Sequence, residues 1–144
     1  RLDSLSRLAV QEACDGDDIM PGTVYIAPSG FQTTVTGSIG DRLTISVSPV
    51  EEEQHIYKPS IDRLLESAAP IYQDKLAAVI LTGMGNDGTK GCRSVKQYNG
   101  TVFAESEQTC VVYGMPKSVV NAGLADGQYP LSRMAKEIVE LVRR

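Results

Sequence analysis

The residues with the clearest capacity for chemistry lie in one glycine-rich loop. Residues 83–88 read Gly83-Met84-Gly85-Asn86-Asp87-Gly88, a G-x-G-x-x-G pattern directly after the apolar run at 76–81. Glycines so placed let the backbone turn sharply and bring N–H groups close to a bound oxygen. Three readings fit. In the first, residues 83–88 are a dinucleotide-binding module: the glycines follow a strand, open a helix, and are trailed by Glu105 where a ribose-binding acid would stand. Asp87 speaks against it, because a pyrophosphate needs bare N–H groups and positive potential at that helix start. In the second, Asp87 sits at the carboxyl end of a strand, where open α/β sheets collect ligands. There it orients a histidine from a neighbouring loop while backbone N–H groups hold an oxyanion, part of an acyl-transfer site. In the third, the loop is only a tight structural turn.

Few other residues compete for a chemical role. His55 is the only histidine and lies after the acidic run Glu51, Glu52 and Glu53, which reads as a solvated surface loop. Cys14, Cys92 and Cys110 are odd in number, far apart and without a C-x-x-C pair. They predict neither a disulfide framework nor a zinc site, and fit a reducing cytoplasm. Cys92 and Cys110 have no basic partner nearby in sequence, so they read as packing thiols rather than nucleophiles. A net charge of -4 lacks the basic footprint of a nucleic-acid binder. The longest apolar run is far short of a membrane-spanning helix, and no basic and apolar leader is visible.

The elements that must position the loop are legible in the periodicity. At 144 residues, one domain with one core is expected. Leu2, Leu5, Leu8 and Ala9 are spaced as a short helix that stops before the acidic turn at 15–18. Residues 23–27 are β-branched and apolar, a buried strand. Residues 31–35 and 43–47 alternate with period two around a glycine-containing turn, which predicts an antiparallel hairpin. Ser60 is placed to cap a helix whose apolar stripe is Ile61, Leu64, Leu65, Ala68 and Ala69, with Asp62 near its positive end. Residues 76–82 form a second buried strand, continuously apolar and therefore expected inside the sheet with neighbours on both sides. A helix at 92–98 closed by Asn99 and Gly100, a third strand at 101–104, a short helix at 117–122 and an amphipathic terminal helix from Leu131 complete the chain. Strands alternating with helices predict an α/β fold: a doubly wound, mostly parallel sheet with the hairpin as an antiparallel addition at one edge.

Two motifs then carry a likeness. Leu81-Thr-Gly-Met-Gly-Asn-Asp-Gly88 followed by Cys110-Val-Val-Tyr-Gly-Met-Pro-Lys117 resembles the catalytic domain of the chemotaxis protein-glutamate methylesterases, the CheB type. Tyr25-Ile-Ala-Pro-Ser-Gly30 and Lys58-Pro-Ser-Ile-Asp62 are similar to further segments of that family in the same order, so the likeness covers nearly the whole chain. It implies a cytoplasmic serine esterase with no cofactor and no metal. Such an enzyme hydrolyses glutamyl methyl esters, and deamidates certain glutamines, on methyl-accepting chemoreceptors through a Ser-His-Asp triad. By motif position Asp87 is the triad acid and the backbone N–H of Met84 helps hold the oxyanion. Tyr113, Gly114 and Met115 border the groove for the receptor, and the family's frequent upstream receiver domain is an expectation. Tyr113 and Met115 are equally consistent with packing, and an exposed Lys117 with simple solvation.

One departure from the family matters. Neither the Gly-Thr-Ser-Thr-Gly-Gly-like turn of the nucleophile nor the Gln-His-Met-like segment of the catalytic histidine is present, and His55 stands outside any family catalytic motif. Residues 1–144 are therefore expected to be the later part of a CheB-type domain, lacking its first strands with the Ser and His motifs. Alone, the chain is expected to be inactive.

Overall fold

The structure, a computed structural model, describes residues 1–49 and 57–143. His55 and the acidic run before it lie outside the described residues. The element order is α1 (Leu2–Leu5), β1 (Ala9–Glu12), β2 (Thr23–Ile26), β3 (Phe31–Gly37), β4 (Leu43–Pro49), α2 (Ile61–Tyr72), β5 (Ala77–Ile80), α3 (Thr89–Gln97), β6 (Thr101–Glu105), α4 (Met115–Asn121), β7 (Gly127–Tyr129) and α5 (Leu131–Val142). β3 and β4 form the expected antiparallel hairpin, with Phe31 opposite Pro49 and Gly37 opposite Leu43. The other pairs are parallel and fall into two ladders, β1–β2 and β5–β6–β7. An α/β architecture of mostly parallel strands with one antiparallel pair is what the alternation of elements predicted, but among the described residues the hairpin is a two-stranded sheet of its own and not an addition at the edge of a single sheet.

Several expectations need correction. The helical spacing at the start holds only through Leu5: Ala9 begins a strand, because Val10 and Gln11 find backbone partners in Val24 and Tyr25. The strand at 23–26 is not buried throughout, since Val24 and Ile26 are 38% and 42% exposed. β5 does not lie inside its sheet. It pairs only with β6 among the described residues, and β6 is the inner strand. A continuous apolar run reports that both faces of a strand are covered, and helices cover faces without adding neighbours at the edges.

The core sits between that ladder and the helices on it. Leu65 and Ala69 of α2, Ala78 and Ile80 of β5, Cys92 and Val95 of α3, Val102 of β6 and Val119 of α4 form one buried cluster with Leu124. An apolar cavity of about 330 Å³ lies beside it, lined by Tyr25, Thr33, Val35, Ile45, Leu65 and Ala77, where β2, the hairpin and α2 meet the unpaired margin of β5. The Thr33 hydroxyl is buried with no hydrogen-bond partner among the described residues.

Candidate active site

Asp87 stands at the end of the glycine loop, just ahead of α3, and is only 6% exposed. A carboxylate so buried must be compensated, and it is, by four donors. Its Oδ1 accepts Ser60 Oγ–H at 2.9 Å, Asp62 N–H at 3.0 Å and Gly88 N–H at 3.1 Å, and its Oδ2 accepts Ile61 N–H at 2.8 Å. The two N–H groups from α2 are first-turn donors that a helix cannot satisfy internally. Ser60 was expected to cap them with its own side chain. It holds the N-cap position but makes no side-chain cap bond, and Asp87 takes the donors instead. Asp62 returns the exchange: its Oδ1 accepts Gly91 N–H, in the first turn of α3, at 2.8 Å. Each helix start is therefore served by a carboxylate from the other, and both positive dipole ends face an anion.

That geometry leaves no place for a pyrophosphate at α3, because the N–H groups of Gly88 and Gly91 are already bonded to carboxylates. Glu105, the acid suited by spacing to a ribose, is fully buried and turned to another task. Its Oε2 accepts Thr82 N–H at 2.8 Å and its Oε1 accepts Thr109 Oγ–H at 2.8 Å. Among the described residues no group of three His, Cys, Asp or Glu side chains comes together as a metal ion would need.

The two motifs that suggested the likeness are brought together. Gly83 N–H donates to Val112 O, and Met115 N–H donates to Gly83 O, at 3.1 and 2.9 Å. The Thr82 hydroxyl accepts from Val112 N–H at 2.9 Å. Gly114 is required by this approach: a Cβ there would lie 2.6 Å from Gly83 O. Gly85 has φ +88°, and a Cβ there would collide with the Tyr57 hydroxyl. Met84 is 81% exposed at the crest of the loop, and its backbone N–H has no acceptor among the described residues. Tyr113 pairs with Gly83 as a parallel bridge, and its hydroxyl accepts from Gln128 Nε2 at 2.8 Å. Met115 packs its thioether over Gly83 and against the core. Leu81, Val111 and Val112 add exposed apolar surface around Met84, and Lys117 is exposed.

Of the two cysteines read as packing thiols, Cys92 is buried and Cys110 only half-buried, and Cys14 is exposed. Cys92 is fully buried, and burial, with the nearby charge of Asp62, pushes its thiol up to about 12. The Cys110 thiol is also raised, by desolvation and then by Glu105, so neither is a ready thiolate.

Residues 1–138 match the family model described as CheB methylesterase. The chain belongs to the CheB methylesterase family. A relative from Thermotoga maritima, named protein-glutamate methylesterase/protein-glutamine glutaminase, is 46% identical over 142 residues, covering 99% of this chain and 41% of that protein. A Pseudomonas aeruginosa relative carrying the same name with the number 1 is 46% identical over 140 residues, 97% of this chain and 37% of that protein. The chain thus spans about two fifths of these CheB relatives. The crystal structure of the Thermotoga maritima CheB methylesterase catalytic domain superposes with a TM-score of 0.90 at 46% identity, over 97% of this chain and 73% of that one.

Proposed function

We propose that residues 1–144 are the later part of a CheB-type catalytic domain that hydrolyses glutamyl methyl esters, and deamidates some glutamines, on cytoplasmic segments of methyl-accepting chemoreceptors. Asp87 is the acid of a Ser-His-Asp triad whose serine and histidine come from a segment outside these 144 residues. The serine oxygen attacks the ester carbonyl while the histidine takes its proton. Asp87 fixes the histidine tautomer and stabilises the imidazolium, and the Met84 N–H donates to the oxyanion. Methanol leaves with a proton from the histidine, and water then hydrolyses the acyl-enzyme by the same route. Tyr113, Gly114 and Met115 border the receptor groove, and a receiver domain upstream is the expected regulator.

The observation that carries this reading is the state of the Asp87 carboxylate. Oδ1 is saturated by three donors, whereas Oδ2 accepts one among the described residues and retains room for an imidazole N–H. The unpaired margin of β5 and the cavity beside it also support a further strand arriving from the missing segment.

The test is a fusion in which the part of the Thermotoga maritima catalytic domain that this chain does not cover is joined to it, assayed for methanol release from methylated receptor. In this fusion Asp87→Asn lowers turnover about 10⁴-fold with receptor binding little changed, as in other Ser-His-Asp hydrolases. The 144 residues alone release no methanol above background. A near-wild-type rate for Asp87→Asn removes Asp87 from the triad and returns the loop to a structural turn.

A further inference from the structure

We infer that Ser60, held in place by Gln32, is a positioning residue for the acid Asp87; this rests on the reading of Asp87 proposed above. Of the four donors on the carboxylate, three are backbone N–H groups that accompany any folded α2 and α3. Ser60 Oγ is the one side-chain donor. A serine at a helix N-cap ordinarily turns its oxygen on the N–H groups of the first turn. Here it gives its proton to Asp87 Oδ1 and leaves those N–H groups to Asp87, so its side chain serves the acid rather than its own helix. The bond fills Oδ1 and leaves the remaining acceptor capacity on Oδ2 alone. An incoming histidine therefore meets a carboxylate with one open direction.

Ser60 is itself fixed from a distant strand. Gln32 of β3 is 1% exposed, and both ends of its amide are used: Oε1 accepts Ser60 N–H at 2.9 Å and Nε2 donates to Tyr57 O at 2.8 Å. The hairpin thereby reaches the acid through Gln32, Ser60 and Asp87. Ser60 is 7% exposed and its hydroxyl hydrogen is committed, which rules it out as a second nucleophile. Its contribution is to the direction of the carboxylate.

The fused enzyme described above supplies the test, with kcat and KM on methylated receptor measured separately. Ser60→Ala lowers kcat about tenfold, the scale seen when groups that orient a functional residue are removed, and leaves KM unchanged. Ser60→Thr, which keeps a hydroxyl, recovers most of that loss, and Ser60→Cys, a weak donor of similar size, falls between. Amide exchange at Ile61 and Asp62 reports whether the first turn of α2 survives. A wild-type kcat for Ser60→Ala, beside a disabled Asp87→Asn, overturns the role of Ser60 and leaves the triad reading intact. An active Asp87→Asn overturns the triad reading instead. Loss of protection at Ile61 and Asp62 in all three Ser60 variants makes the serine a structural residue and also overturns the inference.

Discussion

The two parallel ladders are built from strands of similar length, yet they end in different surroundings. In β5–β6–β7, helices α2, α3 and α4 contribute to a core in which Val95, Val102 and Val119 are fully buried, and β6 buries four of its five residues. In β1–β2 every residue is half-buried or exposed, and neither strand contributes to that core. Polar groups differ in the same way. Around the first ladder, Asp87 and Glu105 are buried and each carboxylate oxygen accepts at least one hydrogen bond; around the second, Asp15 accepts Val47 N–H from an exposed position. Precision is concentrated where polar groups are buried, because there an unmade bond is costly and water cannot replace it. The candidate site lies on that side of the molecule.

Exchanging equivalent groups between the two sides tests this contrast. The largest difference is expected for the carboxylates. Glu105→Leu strands the Thr82 N–H and the Thr109 hydroxyl and destabilises by about 3 kcal/mol, whereas Asp15→Ala costs less than about 1 kcal/mol, both read from urea unfolding midpoints. Equal costs would dissolve the contrast. Next come two valines: Val95→Ala in α3 costs about 2 kcal/mol, and Val24→Ala in β2, 38% exposed, less than about 1 kcal/mol. The smallest effect concerns thiols. Cys14 is exposed and reacts with a thiol reagent in the folded chain, while buried Cys92 does not. Because folding raises the Cys92 value to about 12, the unfolded chain loses this proton first. Stability present below about pH 8.5 then declines as pH rises towards 12, and Cys92→Ala flattens that decline.

The same contrast explains what could be read without coordinates. α2 and α5 announce themselves through apolar stripes, the hairpin through its alternation, and β6 through an apolar run closed by Glu105. β1 and β7 gave no such signal. Ala9–Glu12 has two apolar residues that extend the helical spacing before it, and Gly127–Tyr129 is three residues long and joined by backbone pairing to β6. Asp87 stood out as a candidate because glycines surround it within a few residues. Its partners Ser60, Ile61 and Asp62 lie 25 to 27 residues away, and Gln32 another 28 before Ser60. A local pattern carries no record of such pairings, which is why Ser60 read as an ordinary cap and why Glu105 stood out only in the dinucleotide-binding alternative. One signal was available: Asp62 and Asp87 each stand within two or three residues of a helix start, where a carboxylate has a dipole to answer.

The reciprocal capping of α2 and α3 also has a consequence for when order is acquired. A side chain that is free until substrate arrives must give up its rotamer freedom at every turnover. Asp87 gives it up once, when α2 docks on α3, since the same bonds that complete α2 immobilise the carboxylate. Fixing of the Asp87 carboxylate and closure of that helix turn are one equilibrium, and any fluctuation that frays the start of α2 frees the carboxylate with it.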